Sequence, residues 1–146
     1  MDIDDVVEDF YVSAIQVCTV DENSIGIVGI QVTMKSEQTG EESVKPLDGY
    51  SGYCDPEQKA VMENDDCFSM LNLMFDADGY AVQFAFRRSS SPANGEYEAI
   101  GYGDGIYKPE MDISFEDGCM TGYNFSFGRD RRNLESVTNI RTLESM

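Results

Sequence analysis

The chain repeats a pattern of five residues three times, and this repeat restricts its fold more than any other feature of the sequence. The copies read SAIQV at residues 13–17, SMLNL at residues 69–73 and TGYNF at residues 121–125. Each contains a hydroxyl residue, any residue, a large apolar residue, an amide and a second large apolar residue. The copies start 56 and 52 residues apart. A period of this length predicts a fold built from three similar supersecondary units.

Each copy is followed by a polar turn and a second run of alternating apolar residues, which is the pattern of a β-hairpin. Alternation with a period of two places Ile15 and Val17 on one strand face and Gln16 on the other, so the apolar face is predicted to form the core. The turns at residues 21–24 and 76–79 have the composition of hairpin connections. In the later copies the apolar set is Leu71, Leu73, Phe75, Tyr123, Phe125 and Phe127, opposite the amides Asn72 and Asn124.

These patterns predict a single all-β domain over residues 1–146. Helix signals are weak, and only residues 56–64 have helical spacing, which an extended loop would fit equally well. We expect about ten to twelve strands in three quasi-repeats, each supplying one antiparallel sheet. The quasi-repeats cover roughly residues 4–58, 59–111 and 112–146.

The segment CMTGYNFSFGRDRRNLESV at residues 119–137, together with the repeat length, resembles the closing hairpin of a known fold. It is similar to the β-prism of the jacalin-related lectins and of the vitelline membrane outer layer protein, most clearly over residues 112–141. The resemblance implies three antiparallel sheets whose apolar faces turn toward a common axis. A β-trefoil is the alternative fold for a chain with three repeats.

The same resemblance implies a non-enzymatic, lectin-like module that binds carbohydrate through hairpin loops. In jacalin-type lectins a sugar is held by an N-terminal glycine turn and by a Gly-x-x-x-Asp loop in the last hairpin. This chain has no glycine among its first residues, and Arg132 stands at the fourth place after Gly128. Guanidinium groups also suit anionic ligands, so the expected partner is a glycan or an anion. The candidate ligand-binding residues are Gly128, Arg129, Asp130, Arg131, Arg132 and Asn133.

The Arg-rich loop at residues 128–133 also supports a second interpretation, a structural protein of a coat or matrix. The loop contains three of only ten basic residues, in a chain with 28 acidic residues. An acidic patch on another copy would complement it, and such a contact between different surfaces builds rings or filaments. The candidate residues for this self-assembly are Asp2, Asp4, Asp5, Glu8 and Asp9.

Composition excludes several classes of function. Without histidine the chain has no Ser-His-Asp triad, no Cys-His pair and no His-containing zinc motif, and no spacing selects a pair of catalytic carboxylates, so we expect no enzymatic activity and no cofactor. The formal net charge of −18 argues against binding to nucleic acid, because lysine and arginine provide most of the affinity for phosphates.

The cysteine pattern points to an oxidising compartment. The four cysteines are Cys18, Cys54, Cys67 and Cys119, and no Cys-x-x-Cys pair indicates zinc or redox chemistry. An even count favours two disulfides over buried free thiols, with the pairing left open. No segment approaches the roughly 20 apolar residues of a membrane-spanning helix, and the acidic start lacks the features of a signal peptide. We therefore expect a secreted, mature extracellular form, with a cytoplasmic location as the alternative.

Two further local motifs are candidates for modification or metal binding. Asp76 and Asp78 begin like an EF-hand loop, but Ala81 and Arg87 stand where that loop needs its glycine and its bidentate glutamate. The two aspartates therefore remain candidate calcium ligands in some other geometry. Asn124 begins an Asn-Phe-Ser sequon and is the candidate glycosylation site.

Overall fold

The computed structural model describes residues 10–63, 66–90, 96–114, 119–120, 124–128 and 133–138. Over these residues the protein is all-β, with antiparallel sheets and one short 3₁₀ turn at Pro109–Met111. The strands are β1 (Phe10–Cys18), β2 (Gly29–Ser36), β3 (Glu42–Val44), β4 (Asp48–Gly49), β5 (Lys59–Val61), β6 (Phe68–Phe75), β7 (Ala81–Arg88), β8 (Glu98–Gly101), β9 (Ile113–Ser114), β10 (Asn124–Phe127) and β11 (Leu134–Thr138).

Three hairpins organise these strands, and they are the hairpins that the repeat predicts. The first, β1–β2, lies at the centre of a five-stranded sheet in the order β3-β2-β1-β5, with β4 also paired to β2. The second, β6–β7, lies at the centre of a four-stranded sheet in the order β8-β7-β6-β9. The third hairpin, β10–β11, forms a two-stranded sheet.

The apolar faces of all three hairpins contribute to one hydrophobic core. Ile15 of the first hairpin and Leu71 of the second are completely buried, as the alternation predicts. Aromatic rings extend the contact to the third hairpin, where the ring centroids of Phe84 and Phe125 lie 6.4 Å apart. Because the rings belong to β7 and β10, they join the second sheet to the third through apolar burial.

Loops cover the strand face opposite the core. The Nε2 atom of Gln16 donates hydrogen bonds to the carbonyl oxygens of Cys54 and Asp55, at 3.3 and 3.0 Å. The Nδ2 atom of Asn72 likewise donates to the carbonyl of Lys108, at 2.9 Å. The first two amides of the repeat therefore hold equivalent loops against their sheets, and Asn72 is completely buried.

Backbone hydrogen bonds link residues near the start of the first strand of each hairpin. The Val12 N–H donates to the Met120 carbonyl at 2.9 Å, and the Met120 N–H donates to the Phe68 carbonyl at 3.1 Å. The three residues are 56 and 52 residues apart, the spacing of the repeat, and all are completely buried. We call Val12, Phe68 and Met120 the first strand-start set.

A second set of backbone hydrogen bonds lies where the second strand of each hairpin begins. The Leu134 N–H donates to the Ile27 carbonyl at 2.7 Å, and the Ile27 N–H donates to the Ala81 carbonyl at 2.8 Å. These residues are 54 and 53 residues apart and completely buried. We call Ile27, Ala81 and Leu134 the second strand-start set. The two sets connect the hairpins at both ends of their strands.

The two predicted disulfides are present. One joins Cys18 to Cys54 within the first unit, and the other joins Cys67 to Cys119. Cys67 and Cys119 directly precede Phe68 and Met120, so the second disulfide reinforces the first strand-start set. Within the described residues, no helix has the length and apolar character needed to cross a membrane.

Shortening Leu134 to alanine tests the packing of the third hairpin. The completely buried leucine contacts a shared core, so Leu134→Ala should lower the free energy of unfolding by about 2–5 kcal/mol, as buried large-to-small substitutions do. The control is Val44→Ala, whose side chain is largely exposed and should change stability by less than about 0.5 kcal/mol. Equal effects in a urea titration would contradict this account of the core.

Candidate functional site

The ends of the predicted ligand-binding loop are joined by a hydrogen bond. The Gly128 N–H donates to the Asn133 carbonyl at 2.8 Å, which closes the connection between β10 and β11. The rest of that loop lies outside the described residues, and so do the predicted assembly residues. The predicted residues concerned are Arg129, Asp130, Arg131 and Arg132 in the loop, and Asp2, Asp4, Asp5, Glu8 and Asp9 near the N-terminus.

Gly128 lies in a groove between the first and third units. A cavity of about 480 Å³ is lined by Gly49, Tyr50, Phe127 and Gly128. Gly49 is the last residue of β4 and pairs with Gly29, the first residue of β2. The pair therefore lies at the turn end of the first hairpin. The groove thus places a half-exposed tyrosine and a partly buried phenylalanine beside two glycines.

Glycine is required at the floor of the groove. Gly49 has a φ of +87°, and a Cβ atom there would lie 2.4 Å from the Val28 carbonyl oxygen and 2.9 Å from the Phe127 ring. This backbone conformation is available to glycine at little cost, whereas other residues would be strained. The close approach of backbone and aromatic ring is therefore a direct consequence of the sequence at this position.

Polar oxygens flank the other glycine of the groove. A Cβ atom at Gly128 would lie 2.8 Å from the Glu135 carboxylate and 3.2 Å from the Asn133 Oδ1 atom. Carboxylate and amide oxygens accept hydrogen bonds from hydroxyl groups, and aromatic faces cover apolar C–H surface. The groove can therefore contact a ligand that carries both kinds of surface.

Gly49 and Tyr50 form a Gly-Tyr pair that recurs 52 residues later as Gly101 and Tyr102, but the surroundings of the second pair differ. The Tyr102 N–H donates to the Val82 carbonyl at 3.0 Å, just as the Tyr50 N–H donates to the Val28 carbonyl at 2.8 Å. In the second copy, however, a loop of the first unit lies against the pair. The Tyr102 hydroxyl donates to Asp55 at 2.5 Å, and the Gly101 N–H donates to the Gln58 Oε1 atom at 2.6 Å.

The contact between Tyr102 and Asp55 shifts both pKa values. The carboxylate acceptor favours the protonated phenol and raises the pKa of Tyr102 to about 12. The hydrogen bond from the phenol stabilises the carboxylate and lowers the pKa of Asp55. The Tyr102 hydroxyl therefore joins the loop at Asp55 to the strand β8 region of the second sheet.

The remaining candidates have structural contacts or no described side chain. The Asp76 Oδ1 atom accepts the N–H groups of Asp78 and Tyr80, at 2.9 and 3.0 Å, and thereby orders the β6–β7 turn. In the described part of the chain, no three Asp, Glu, Cys or His residues are grouped as metal ligands. Asn124 begins β10, where its backbone pairs with Thr138.

Of the predicted ligand-binding residues, Gly128 lines the groove and Asn133 lies beside it, whereas two other features of the groove were not predicted from the sequence. Phe127 was predicted to be a core residue, and the structure places it both against the core and on the groove wall. Glu135 received no role. The sequence feature that could have indicated the groove is the Gly-Tyr pair at residues 49–50. Its glycine has a positive φ, and so has the glycine of the second pair: +87° at Gly49 and +113° at Gly101.

The contact between Tyr102 and Asp55 predicts a pH dependence of stability. A lowered carboxyl pKa contributes stability above the ordinary value of 3.8, which is lost as the pH falls through the lower folded value. A raised phenol pKa contributes stability below the ordinary value of 10.0, which is lost as the pH rises toward about 12. The Tm difference between the wild type and Tyr102→Phe should therefore be largest between these limits. Tyr97→Phe is the control, and a difference that does not change with pH would contradict the assignment.

Comparisons of the chain with family models, with curated proteins and with solved structures find no match. The interpretation of the groove therefore depends on the residues that form it. The groove is lined by two glycines and two aromatic side chains, and oxygens of Asn133 and Glu135 lie beside one of the glycines, Gly128.

Proposed function

We propose that the protein is a non-enzymatic, lectin-like module of β-prism type that binds carbohydrate in the groove between its first and third units. The observation that carries the proposal is the lining of this groove by Gly49, Tyr50, Phe127 and Gly128. The three-unit β-prism is supported by the two strand-start sets, because each connects buried backbone positions at the spacing of the repeat.

The chemistry of the groove suits a saccharide. A sugar ring has an apolar face of C–H groups and a rim of hydroxyl groups. Tyr50 offers an aromatic surface for the apolar face. The Glu135 carboxylate and the Asn133 amide oxygen, close to Gly128, offer acceptors for the hydroxyl groups.

Charge divides the possible glycans into two groups. The whole chain carries a formal charge of −18, which repels an anionic ligand at long range. Arg129, Arg131 and Arg132 belong to the loop that Gly128 and Asn133 close, and their guanidinium groups can pair with sulfate or carboxylate groups. Neutral and acidic glycans should therefore respond differently to salt, because only the acidic ones depend on these charges.

The proposed location is extracellular. Two disulfides are present, and such bonds persist mainly in oxidising compartments. Glycans on cell surfaces and in matrices are found in the same compartment, so the location agrees with the proposed ligand class.

Removing the aromatic surface of Tyr50 tests the groove directly. On a glycan array, the wild type should bind at least one neutral or acidic glycan, and Tyr50→Ala should weaken this binding about tenfold or more, which corresponds to about 1.4 kcal/mol. The matched control is Tyr97→Ala, because Tyr97 is similarly exposed but stacks on Tyr107 away from the groove. Absence of binding to any glycan, or equal losses in both variants, would overturn the proposal.

Alanine substitutions in the loop separate the two glycan groups. If the ligand is acidic, Arg129→Ala should weaken binding and reduce its dependence on salt, whereas Asp130→Ala should strengthen it. If the ligand is neutral, Asp130→Ala should weaken binding by removing an acceptor, with little change in salt dependence. Lys59→Ala, outside the groove, is the control. If neither Arg129→Ala nor Asp130→Ala changes binding, the loop does not belong to the site.

A further inference from the structure

A second cavity, of about 680 Å³, lies at the opposite end of the hairpins from the groove. Its wall includes Tyr11, Cys67 and Cys119, together with Lys35 and Glu37 from the end of β2 and the turn after it. The backbone of Tyr11 pairs with Lys35, near the open end of the first hairpin. The cavity therefore exposes a disulfide on a wall that also carries one positive and one negative side chain.

The position of this cavity follows from the repeat. Tyr11, Cys67 and Cys119 each directly precede a member of the first strand-start set, and they are 56 and 52 residues apart. Three equivalent positions meet here, and the second and third are joined by the disulfide. Cys67 is 2% exposed, whereas Cys119 is half-buried, so the cavity provides access to Cys119 in preference to Cys67.

The other disulfide has different surroundings. Cys18 is completely buried on β1 and Cys54 is half-buried like Cys119, but the Cys54 sulfur lies 3.0 Å from the Ser51 carbonyl oxygen. Displacement at a disulfide sulfur requires the attacking thiolate to approach that sulfur. A backbone oxygen beside Cys54 occupies space and repels an anion, whereas the Cys67–Cys119 disulfide borders an open cavity with a lysine.

We propose that the Cys67–Cys119 disulfide is a site of thiol–disulfide exchange that accepts a small thiol from solution. The thiolate sulfur attacks the Cys119 Sγ atom, and a new sulfur–sulfur bond forms as the bond to Cys67 breaks. The electron pair leaves on the Cys67 Sγ atom, which takes a proton from water. The products are a mixed disulfide on Cys119 and a free thiol on Cys67, and the attacking thiol is the sole co-reactant.

The charges of the cavity determine which thiol reacts fastest. The protein as a whole repels anionic thiolates. Lys35 attracts them within the cavity, and Glu37 opposes that attraction. A thiol that carries a carboxylate should therefore be more sensitive to substitutions at these two positions than a thiol with no other charge.

Exchange at this site removes one connection between units and leaves others in place. The covalent link between the second and third units is lost, while the hydrogen bond from the Met120 N–H to the Phe68 carbonyl does not depend on sulfur. The adduct occupies the cavity between Tyr11 and the turn after β2. The concentration of thiols around the protein therefore determines whether the second and third units are joined covalently at this site.

The test is to incubate the folded full-length chain with glutathione, quench with acid, and map adducts and free thiols by mass spectrometry after alkylation under denaturing conditions. We expect one glutathione on Cys119 and a free thiol on Cys67, formed at least about tenfold faster than any product at Cys18 or Cys54. Reaction first at the Cys18–Cys54 disulfide, an adduct on Cys67, or reaction only after unfolding would overturn the proposal.

Matched variants separate the cavity from general reactivity. The double variant Cys18→Ser/Cys54→Ser should retain the adduct, and Cys67→Ser/Cys119→Ser should lose it. Because a double variant can fail to fold, charge variants of the intact chain provide the second arm. Lys35→Glu should slow the reaction with glutathione about threefold more than the reaction with 2-mercaptoethanol. Glu37→Lys should accelerate the reaction with glutathione more than the reaction with 2-mercaptoethanol. Lys59→Glu is the control, and equal effects on both thiols would exclude attack through this cavity.

Discussion

Backbone groups buried at the junction of three hairpins impose the constraint on which the other features depend. The N–H groups of Val12, Met120, Ile27 and Leu134 belong to completely buried residues and cannot reach water. Leaving such a group without a partner costs about 1–3 kcal/mol. Each donates instead to a carbonyl of another unit. Because these bonds tolerate little displacement, they align the hairpins at both ends while the apolar faces fill the space between them.

The two cavities follow from this alignment. At the turn end, the third hairpin places Phe127 so close to Gly49 that a Cβ atom would not fit between them, and these two residues line the groove together with Tyr50 and Gly128. At the open end, the residues that precede the first strand-start set meet, and two of them form the Cys67–Cys119 disulfide. The first unit contributes Tyr11 at the equivalent position. The two ends of the hairpins therefore form different cavities, because different side chains line them.

Local patterns in the sequence predicted the hairpins, the core face and the presence of two disulfides, because alternation and cysteine count reflect nearby chemistry. Features that depend on contacts between distant parts of the chain could not be predicted from these local patterns. Residues 56–64 fit a helix or a loop by spacing, yet they contain β5 (Lys59–Val61), which pairs with β1. The amide face of the strands is covered by loops that Gln16 and Asn72 hold. The groove was only half predicted, since the partner of Gly128 is 78 residues away at Tyr50.

Native-state hydrogen exchange measured residue by residue by NMR tests most directly whether the strand-start sets hold the units together. The amides of Val12, Met120, Ile27 and Leu134 should exchange only through global unfolding, with a common free energy equal to that from urea denaturation. Their protection should match that of the β1–β2 and β6–β7 ladders. If the free energy of opening at the Met120 and Leu134 amides is several kcal/mol lower than at these ladders, the third hairpin opens independently and the account is contradicted.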